Sequence, residues 1–247
     1  MYTETEGIVL KQIKTVNGRR MIVLLSKKYG KISAGTSISE RGKNKSALSL
    51  RPFTHGRYEL FKGRESYSVN GAETIDSFFS IGENIDKFAA ASVALELCDR
   101  LLEEGQQAPG MYSLLLEFLT VLEQRRSDFG TLTLGFKIKA LDVFGSGIQT
   151  EGCVRCKNAS DLKYFSVEDG GFVCGSCIPS GSALNPLIFE VSDDIINVTR
   201  FIKAHPVRSL EKLSVPKDVQ ARLTRILKAY FSFHLGIDSL KSESLII

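Results

Sequence analysis

Four cysteines in two close pairs constrain this chain more than any other feature of its sequence. Cys153 and Cys156 form one C-x₂-C pair, and Cys174 and Cys177 form a second pair after seventeen intervening residues. Two residues between thiols allow one tight turn to direct both sulfurs at the same ion, and two such turns complete the tetrahedral set of ligands that zinc prefers. The spacing therefore predicts one Zn²⁺ ion bound by these four side chains.

The predicted zinc site is structural rather than catalytic. All four ligands are thiols, so no position at the metal is left for water or substrate. A zinc deaminase needs a His-x-Glu motif, and none of His55, His205 and His234 has Glu two residues later. The glycine-rich phosphate loops of nucleotide-binding enzymes and the Gly-x-Ser-x-Gly motif of hydrolases are also absent. We expect no enzymatic activity and no small-molecule substrate; the alternative for the cysteines is four thiols without a metal.

The rest of the sequence indicates a reducing compartment. No stretch approaches the roughly 18 apolar residues that span a bilayer, and the N-terminus lacks the basic and apolar regions of an export signal. Paired cysteines in such a chain are typical of metal binding rather than of disulfides. We therefore expect a cytoplasmic protein with no membrane partner. The fifth cysteine, Cys98, falls on the apolar face of a predicted helix, and we interpret it as a core thiol.

The first 79 residues are predicted to form strands. Runs rich in Ile, Val, Leu and Tyr, such as residues 19–26 and 57–63, alternate with glycines at turn-like intervals. Five short strands of this kind indicate a small β-barrel of the OB-fold type. The polar, basic stretch 37–50 is predicted to be a long loop with up to one helical turn.

The hydrophobic period changes to that of helices after Asn84, a predicted N-cap. Further helices are predicted after Pro109, before Gly145, after Ser192 and after Pro216. Residues 162–174 are predicted to form a hairpin between the cysteine pairs. The fold class is thus α+β, an N-terminal OB-fold barrel followed by a helical bundle that a Cys₄ zinc-binding insert interrupts. The predicted ranges are 1–79 for the OB-fold, 80–149 and 182–247 for the helices, and 150–181 for the insert.

Positive charge is concentrated in the predicted barrel. From Lys11 to Arg64 there are fourteen Lys and Arg residues against two acids, so this segment carries +12 and the rest of the chain −8. Such a concentration is typical of a surface that binds a polyanion, although a solvated basic face with no partner is the alternative. The candidate DNA contacts are Lys11, Lys14, Arg19, Arg20, Lys27, Lys28, Lys31, Arg41, Lys43, Lys45, Arg51 and Arg57.

Aromatic residues are interleaved with these cations. In an OB-fold that binds single strands, cations follow the phosphates and aromatic rings stack on bases. The rings in question are Tyr29, Phe53, Tyr58, Phe61 and Tyr67. A barrel of this size also needs large side chains in its interior, so each ring has a core interpretation that competes with a stacking one.

Four segments resemble one known family, the bacterial recombination mediator RecO. GIVLKQIKTVNGRRMIVLLSKKYGKISA is similar to its opening strands and ALSLRPFTHGRYELFKGRESYSVNGAETIDSF to the remainder of its OB-fold. GCVRC…GGFVCGSC is similar to its zinc-binding insert, and YFSFHLGIDSLKS to the end of its last helix. The four segments occur in the family's order and cover nearly the whole chain.

The resemblance implies a non-enzymatic mediator of DNA repair that associates with the nucleoid. Members are expected to bind single- and double-stranded DNA, to anneal complementary strands, and to act with RecR and single-stranded-DNA-binding protein in loading RecA. The acidic C-terminal tail of single-stranded-DNA-binding protein is expected to dock within residues 80–247, near Arg125-Arg126 or on 222–228. Two other classes stay open: a zinc-ribbon transcription or translation factor that binds nucleic acid, and a metal-dependent nuclease or deaminase.

Overall fold

The computed structural model describes residues 1–14, 20–38, 45–64, 66–178 and 185–245. Contacts divide the chain into two compact units, one of residues 1–125 with the last residues from 244 onward, and one of residues 126–243. The described residues form eight strands and seven α-helices, which confirms the predicted α+β class. The domain ranges given above stay predictions, since the division by contacts groups the first helices with the strands.

The first unit contains a five-stranded barrel. Its strands are β1 (Tyr2–Lys14), β2 (Arg20–Ser26), β3 (Gly30–Thr36), β4 (His55–Lys62) and β5 (Tyr67–Asp76). β1 pairs antiparallel with both β2 and β4, and a short parallel pairing joins β3 to β5. The strand order β1-β2-β3-β5-β4 thus returns to β1. This is the OB-like arrangement that the sequence predicts.

A cluster of buried side chains fills the barrel. Its members are Val9, Ile22, Leu24, Ile32, Ala34, Leu50, Tyr58, Leu60 and Val69. The Tyr58 hydroxyl donates to the Ser49 carbonyl oxygen at 2.6 Å, which satisfies the one polar atom that this ring carries into the core. Leu50 follows helix α1 (Lys45–Leu48), the single helical turn expected in the long loop.

Helices cover one side of this barrel. They are α2 (Phe79–Gly82), α3 (Ile85–Leu101) and α4 (Pro109–Gln124). Ile8 and Leu10 lie on the outer face of β1 and are nevertheless buried, because α3 and α4 pack against that strand. The Asn84 side chain accepts hydrogen bonds from two backbone N–H groups of the first turn of α3, so the predicted N-cap is confirmed.

The second unit combines helices with a small sheet. Its helices are α5 (Phe129–Phe144), α6 (Asp193–Ala204) and α7 (Lys217–Leu235), and its strands are β6 (Leu162–Ser166), β7 (Gly171–Cys174) and β8 (Ile188–Glu190). β6 and β7 form the predicted hairpin, and β8 adds a third strand on the other side of β6 that was not predicted. Gly145 and Gly236 end α5 and α7 in the left-handed conformation, as expected for C-terminal glycines.

Three large apolar side chains of α3, α5 and α7 are less buried than the core residues of these helices. Phe88, Val143 and Phe233 are 36%, 45% and 49% exposed. Phe88 lies at the edge of its buried face and packs edge-to-face on Phe53, with ring centroids 5.4 Å apart. Cys98, by contrast, is completely buried, so its interpretation as a core thiol is confirmed.

Candidate metal centre and nucleic-acid interface

The first cysteine pair sits on a tight turn that the local sequence requires. The Cys153 N–H donates to the Asn158 carbonyl at 2.7 Å, and the Lys157 N–H donates to the Cys153 carbonyl at 2.8 Å. Lys157 has φ of 66°, and a Cβ on Gly152 would lie only 2.9 Å from the Lys157 carbonyl oxygen. The glycine before the pair therefore lets the chain fold back closely enough to direct Cys153 and Cys156 to one point.

The second pair is placed by the end of the hairpin. β7 ends at Cys174, and a 3₁₀ turn over Gly175–Cys177 brings Cys177 back towards it. Arg155, in the first turn, donates to the Cys177 carbonyl at 2.8 Å and to the Asp169 carboxylate at 2.8 Å. One guanidinium thus ties the first cysteine turn both to the second and to the loop between β6 and β7.

The four sulfur atoms converge as the spacing predicts. All lie within 4.8 Å of one another, and the Cys156 and Cys174 sulfurs are 3.6 Å apart. A tetrahedron with Zn–S bonds of about 2.3 Å has edges of about 3.8 Å, so the observed separations match a zinc site and are too long for disulfides. Cys153 and Cys174 are buried, whereas Cys156 is exposed.

Hydrogen bonds favour the thiolate at two of the cysteines and disfavour it at a third. Burial raises the pKa of Cys153, but backbone N–H groups of the two turns more than offset burial and lower this pKa to about 6. A hydrogen bond from the Ser176 hydroxyl lowers the pKa of Cys174. Contacts with the Cys156 and Cys174 sulfurs raise the pKa of Cys177 to about 12. Four adjacent thiols cannot all ionise without a cation between them, because their negative charges repel each other. A divalent ion that binds thiolates, such as zinc, supplies the compensating positive charge.

Aromatic contacts attach the cysteine hairpin to the helices of the second unit. Phe165 and Phe172 are both 1% exposed and pack edge-to-face at 5.5 Å, and Phe165 lies 6.0 Å from the ring of Tyr230 on α7. His234, one turn further along α7, hydrogen-bonds through Nε2 to the Val167 carbonyl oxygen at 2.6 Å. The hairpin is therefore held against α7 by apolar and polar contacts that do not involve its cysteines.

The other two histidines also have structural contacts. His55 Nε2 lies 2.9 Å from the Tyr112 hydroxyl oxygen, and His55 is 8% exposed. His205 stacks on the Phe201 ring with centroids 4.1 Å apart. All three histidines therefore have packing or hydrogen-bonding contacts within the fold.

Several candidate DNA contacts are engaged in ion pairs of the first unit. The ammonium groups of Lys11 and Lys31 lie 2.5 Å and 3.3 Å from the carboxylate of Asp99 on α3. Lys27 pairs with Glu6 at 2.9 Å. Arg57 lies 3.1 Å from Glu4 and 3.7 Å from Glu73, on the outer face of the barrel. These cations are already close to acids before any nucleic acid binds.

Other candidates are exposed. Lys14, Lys28 and Arg51 have no ion-pair partner among the residues that the structure describes, and Arg20 is half-buried. Arg19, Arg41 and Lys43 lie outside the described residues, as does the side chain of Lys45. Lys62 and Arg64, which were not among the candidates, are exposed as well and belong to the same basic segment. The sequence did contain a signal for these two residues, because both lie inside the basic run from Lys11 to Arg64.

The interleaved rings divide into core and surface. Tyr58 is fully buried, Tyr29 and Tyr67 pack against the barrel core from its edge, and Phe61 is 39% exposed. Phe61 contacts Tyr2, a ring that the sequence interpretation passed over and that is 74% exposed. Tyr58 therefore follows the core interpretation, whereas Phe61 is accessible to a ligand.

None of the helices in the described residues has the length and the apolar character required to cross a membrane.

Family models for the N-terminal and C-terminal parts of recombination protein O match residues 1–78 and 82–244. DNA repair protein RecO of Alkaliphilus metalliredigens (strain QYMF) is 28% identical over 95% of this chain and 94% of that protein. DNA repair protein RecO of Bacillus subtilis (strain 168) is 26% identical over 96% of this chain and 91% of that protein. The family resemblance is confirmed, and the chain belongs to the RecO family.

Proposed function

We propose that this protein is a DNA-binding recombination mediator in DNA repair. In this proposal it binds single- and double-stranded DNA, anneals complementary strands, and acts with RecR and single-stranded-DNA-binding protein to load RecA. The observation that carries the proposal is the match of both RecO family models, in order, to nearly the whole chain. The name of these relatives, DNA repair protein RecO, supports the same role.

The exposed cations of the first unit set the salt dependence that we expect for the proposed DNA binding. Between Lys11 and Arg64, five exposed cations have no ion-pair partner within the described chain: Lys14, Lys28, Arg51, Lys62 and Arg64. If each meets one phosphate of a single strand, the logarithm of the binding constant falls with the logarithm of the salt concentration at a slope of about −3.5. Raising the salt from 50 to 200 mM then weakens binding roughly a hundredfold. The binding is largely independent of base sequence, because it rests on the phosphates.

The cysteine site has a structural role in this proposal. A bound zinc ion would be held by Cys153, Cys156, Cys174 and Cys177 and would supply folding free energy to the insert, not chemistry. No group in the described chain is assigned a catalytic role, and we propose a non-enzymatic protein.

The acidic tail of single-stranded-DNA-binding protein is proposed to dock on α7. Of the pair Arg125-Arg126, the other place predicted from the sequence, Arg125 is 5% exposed and only Arg126 is exposed to a peptide. Arg222, Arg225 and Lys228 are exposed and follow one another at intervals of three along α7, so they form one basic stripe. This part of the proposal rests on the family resemblance together with that stripe.

Strand annealing tests the proposal. Two complementary oligonucleotides are mixed with the full-length protein, bare and coated with single-stranded-DNA-binding protein, and duplex formation is followed by fluorescence quenching. We expect the protein to accelerate annealing in both cases. The variant Lys28→Ala/Arg51→Ala should anneal more slowly than the matched control Lys212→Ala/Lys217→Ala. A zinc-ribbon transcription or translation factor would bind the strands but leave annealing at its spontaneous rate, and that result would reject the mediator.

A further inference from the structure

The outer face of the barrel carries two glutamates directly opposite each other on β1 and β4. Glu4 and Glu59 are partners in the antiparallel register of these strands. Tyr58 and Leu60, on either side of Glu59, belong to the buried core cluster, so the Glu59 side chain lies on the outer face. Like charges in directly opposite positions destabilise a sheet. The opposed glutamates therefore lower the stability of the barrel, and packing gives no reason for them.

The described cations compensate these carboxylates only in part. Arg57 lies 3.1 Å from Glu4 and 3.7 Å from Glu73, so two carboxylates share one guanidinium. Glu59 has no ion-pair partner among the described residues. Its carboxylate lies across β5, where a Cβ on Gly71 would be only 2.7 Å from it. Three carboxylates thus face solvent around a single guanidinium.

Two aromatic rings continue the same face. Tyr2 and Glu4 are alternate residues of β1, and Phe61 and Glu59 are alternate residues of β4, so all four side chains lie on one side of the sheet. The two ring centroids are 5.3 Å apart at an interplanar angle of 62°. The rings are 74% and 39% exposed. Exposed aromatic side chains in contact with each other are typical of surfaces that bind a protein.

Arginine is the side chain that complements this combination of groups. Its planar guanidinium pairs with a carboxylate through two parallel hydrogen bonds and also stacks on aromatic rings. Lysine has the same charge but no flat surface for stacking or for paired hydrogen bonds. A polyanion such as DNA is repelled by the carboxylates. The charge of this surface therefore favours a basic protein segment over nucleic acid.

We propose that this surface docks an arginine-bearing segment of a protein partner. We call it the acidic–aromatic face, formed by Tyr2, Glu4, Arg57, Glu59, Phe61 and Glu73. Glu4 and Glu59 bind guanidinium groups, and Tyr2 and Phe61 stack on them. Arg57 holds the Glu4 and Glu73 carboxylates in position. Docking neutralises two carboxylates that repel each other in the free protein, and it is independent of the DNA binding proposed above.

Removal of the opposed carboxylates tests the role of charge. The probe is a synthetic peptide of four Arg-Gly repeats, titrated into the full-length protein in a calorimeter. Glu4→Gln/Glu59→Gln should bind it about fivefold more weakly, from the loss of two exposed ion pairs. The control Glu83→Gln/Glu103→Gln removes two exposed acids of the same unit and should keep the affinity. An equal loss in both variants would show that net charge alone attracts the peptide and would overturn the site.

Stability separates a docking role of Glu59 from a structural one. Glu59→Gln should raise the urea midpoint of the free protein, because it removes the repulsion from Glu4. The same variant should bind the arginine peptide more weakly. A lower urea midpoint would show that Glu59 supports the barrel, and it would overturn the docking role.

Replacement of the rings tests the stacking. Tyr2→Ala/Phe61→Ala should bind the arginine peptide about fivefold more weakly, because each ring contributes a cation–π contact. Phe79→Ala removes another ring of the first unit, 67% exposed, and should leave the affinity unchanged. A peptide of four Lys-Gly repeats should bind the unchanged protein more weakly than the arginine peptide. Equal affinity for the two peptides would reject recognition of the guanidinium.

A tryptophan reporter distinguishes this occupant from others. The chain contains no tryptophan, so Phe61→Trp introduces a single one. The arginine peptide should change its emission, and poly-dT should leave it unchanged. Quenching by poly-dT would assign the face to DNA and overturn the proposal. Self-association of the unchanged protein in sedimentation velocity, abolished in Glu4→Gln/Glu59→Gln, would assign the face to a second copy of this chain and also reject it.

Discussion

Substitution of one buried cysteine gives the sharpest prediction about the metal centre. Cys174 ends β7, is 1% exposed, and lies 3.6 Å from the Cys156 sulfur and 3.1 Å from the Ser176 hydroxyl oxygen. Cys174→Ser removes one of four thiols and puts in its place a hydroxyl, which is a poor zinc ligand. The three cysteines that remain hold the ion less tightly, and we expect zinc to be lost on dialysis.

The contacts of the insert limit how much stability the substitution removes. Structural zinc contributes on the order of 10 kcal/mol where a small peptide has nothing else to fold around. Here Phe165 and Phe172 are buried, at about 2–3 kcal/mol each, so the hairpin should stay on α7 while the two cysteine turns open. With free zinc at about a thousand times Kd, loss of the ion removes about 4 kcal/mol from the folded state. For a unit of this size, that lowers Tm by roughly 12–20 °C.

Two measurements and one control variant check this expectation. Metal analysis should find one zinc per chain in the unchanged protein purified without chelator and much less in Cys174→Ser. Hydrogen exchange should accelerate in residues 153–157 and 174–178 and stay unchanged in the barrel. Cys98→Ala, which removes a buried thiol outside the site, should keep its zinc. Absence of zinc from the unchanged protein, or equal stability of Cys174→Ser, would refute the reasoning.

Three further predictions concern stability and partners. Gly30→Ala should destabilise the barrel by several kcal/mol in a urea titration, because φ at this residue is +71° and the new Cβ would lie 1.7 Å from a backbone carbonyl oxygen. The control Gly82→Ala, whose Cβ would have no atom within 4 Å, should leave the free energy of unfolding unchanged. Burial lowers the pKa of His55, so the folded state favours the neutral imidazole. The free energy of unfolding should therefore be constant above the unfolded pKa of about 6.5 and fall as the pH drops below that value. His55→Gln should lose this pH dependence. Arg222→Ala/Arg225→Ala should weaken binding of an acidic tail peptide severalfold by fluorescence anisotropy, and unchanged affinity would move the docking site away from α7.

The parts of the fold that the sequence predicts are those set by neighbouring residues. The cysteine turns depend on two-residue spacings and on Gly152, and the helix ends depend on Asn84, Gly145 and Gly236. Strand β8 was not predicted because it has only three residues and pairs with β6, from which β7 separates it in the chain. A three-residue strand carries too little periodicity to be distinguished from a loop.

The sequence predicts which residue types form the candidate nucleic-acid site, but not which of those residues are exposed and free of ion pairs. Lys11 and Lys31 were candidates by charge, yet both meet Asp99, which is 88 and 68 residues away along the chain. Tyr2 lies 59 residues from Phe61, and its exposure depends on a strand pairing that no local pattern reports. Charge and residue type are local properties, whereas ion pairing and exposure follow from the tertiary fold.

Ion pairing explains how a strongly basic segment folds and still offers a surface to DNA. Between Lys11 and Arg64 the net charge is +12, which would strain a compact barrel if every cation were unpaired. Lys11 and Lys31 bind Asp99, and Lys27 and Arg57 bind the glutamates of β1, so part of this charge stabilises the first unit. Paired cations release few counterions when DNA binds, since an acid already neutralises them. If all fourteen cations met phosphates, the salt slope on single strands would be about −10, whereas the five that have no ion-pair partner among the described residues give about −3.5. A slope near the steeper value would require these ion pairs to break on binding, and Asp99→Asn, which frees two lysines, should then leave the slope unchanged. With the pairs intact in the complex, the same substitution should steepen the slope by up to about 1.4 units.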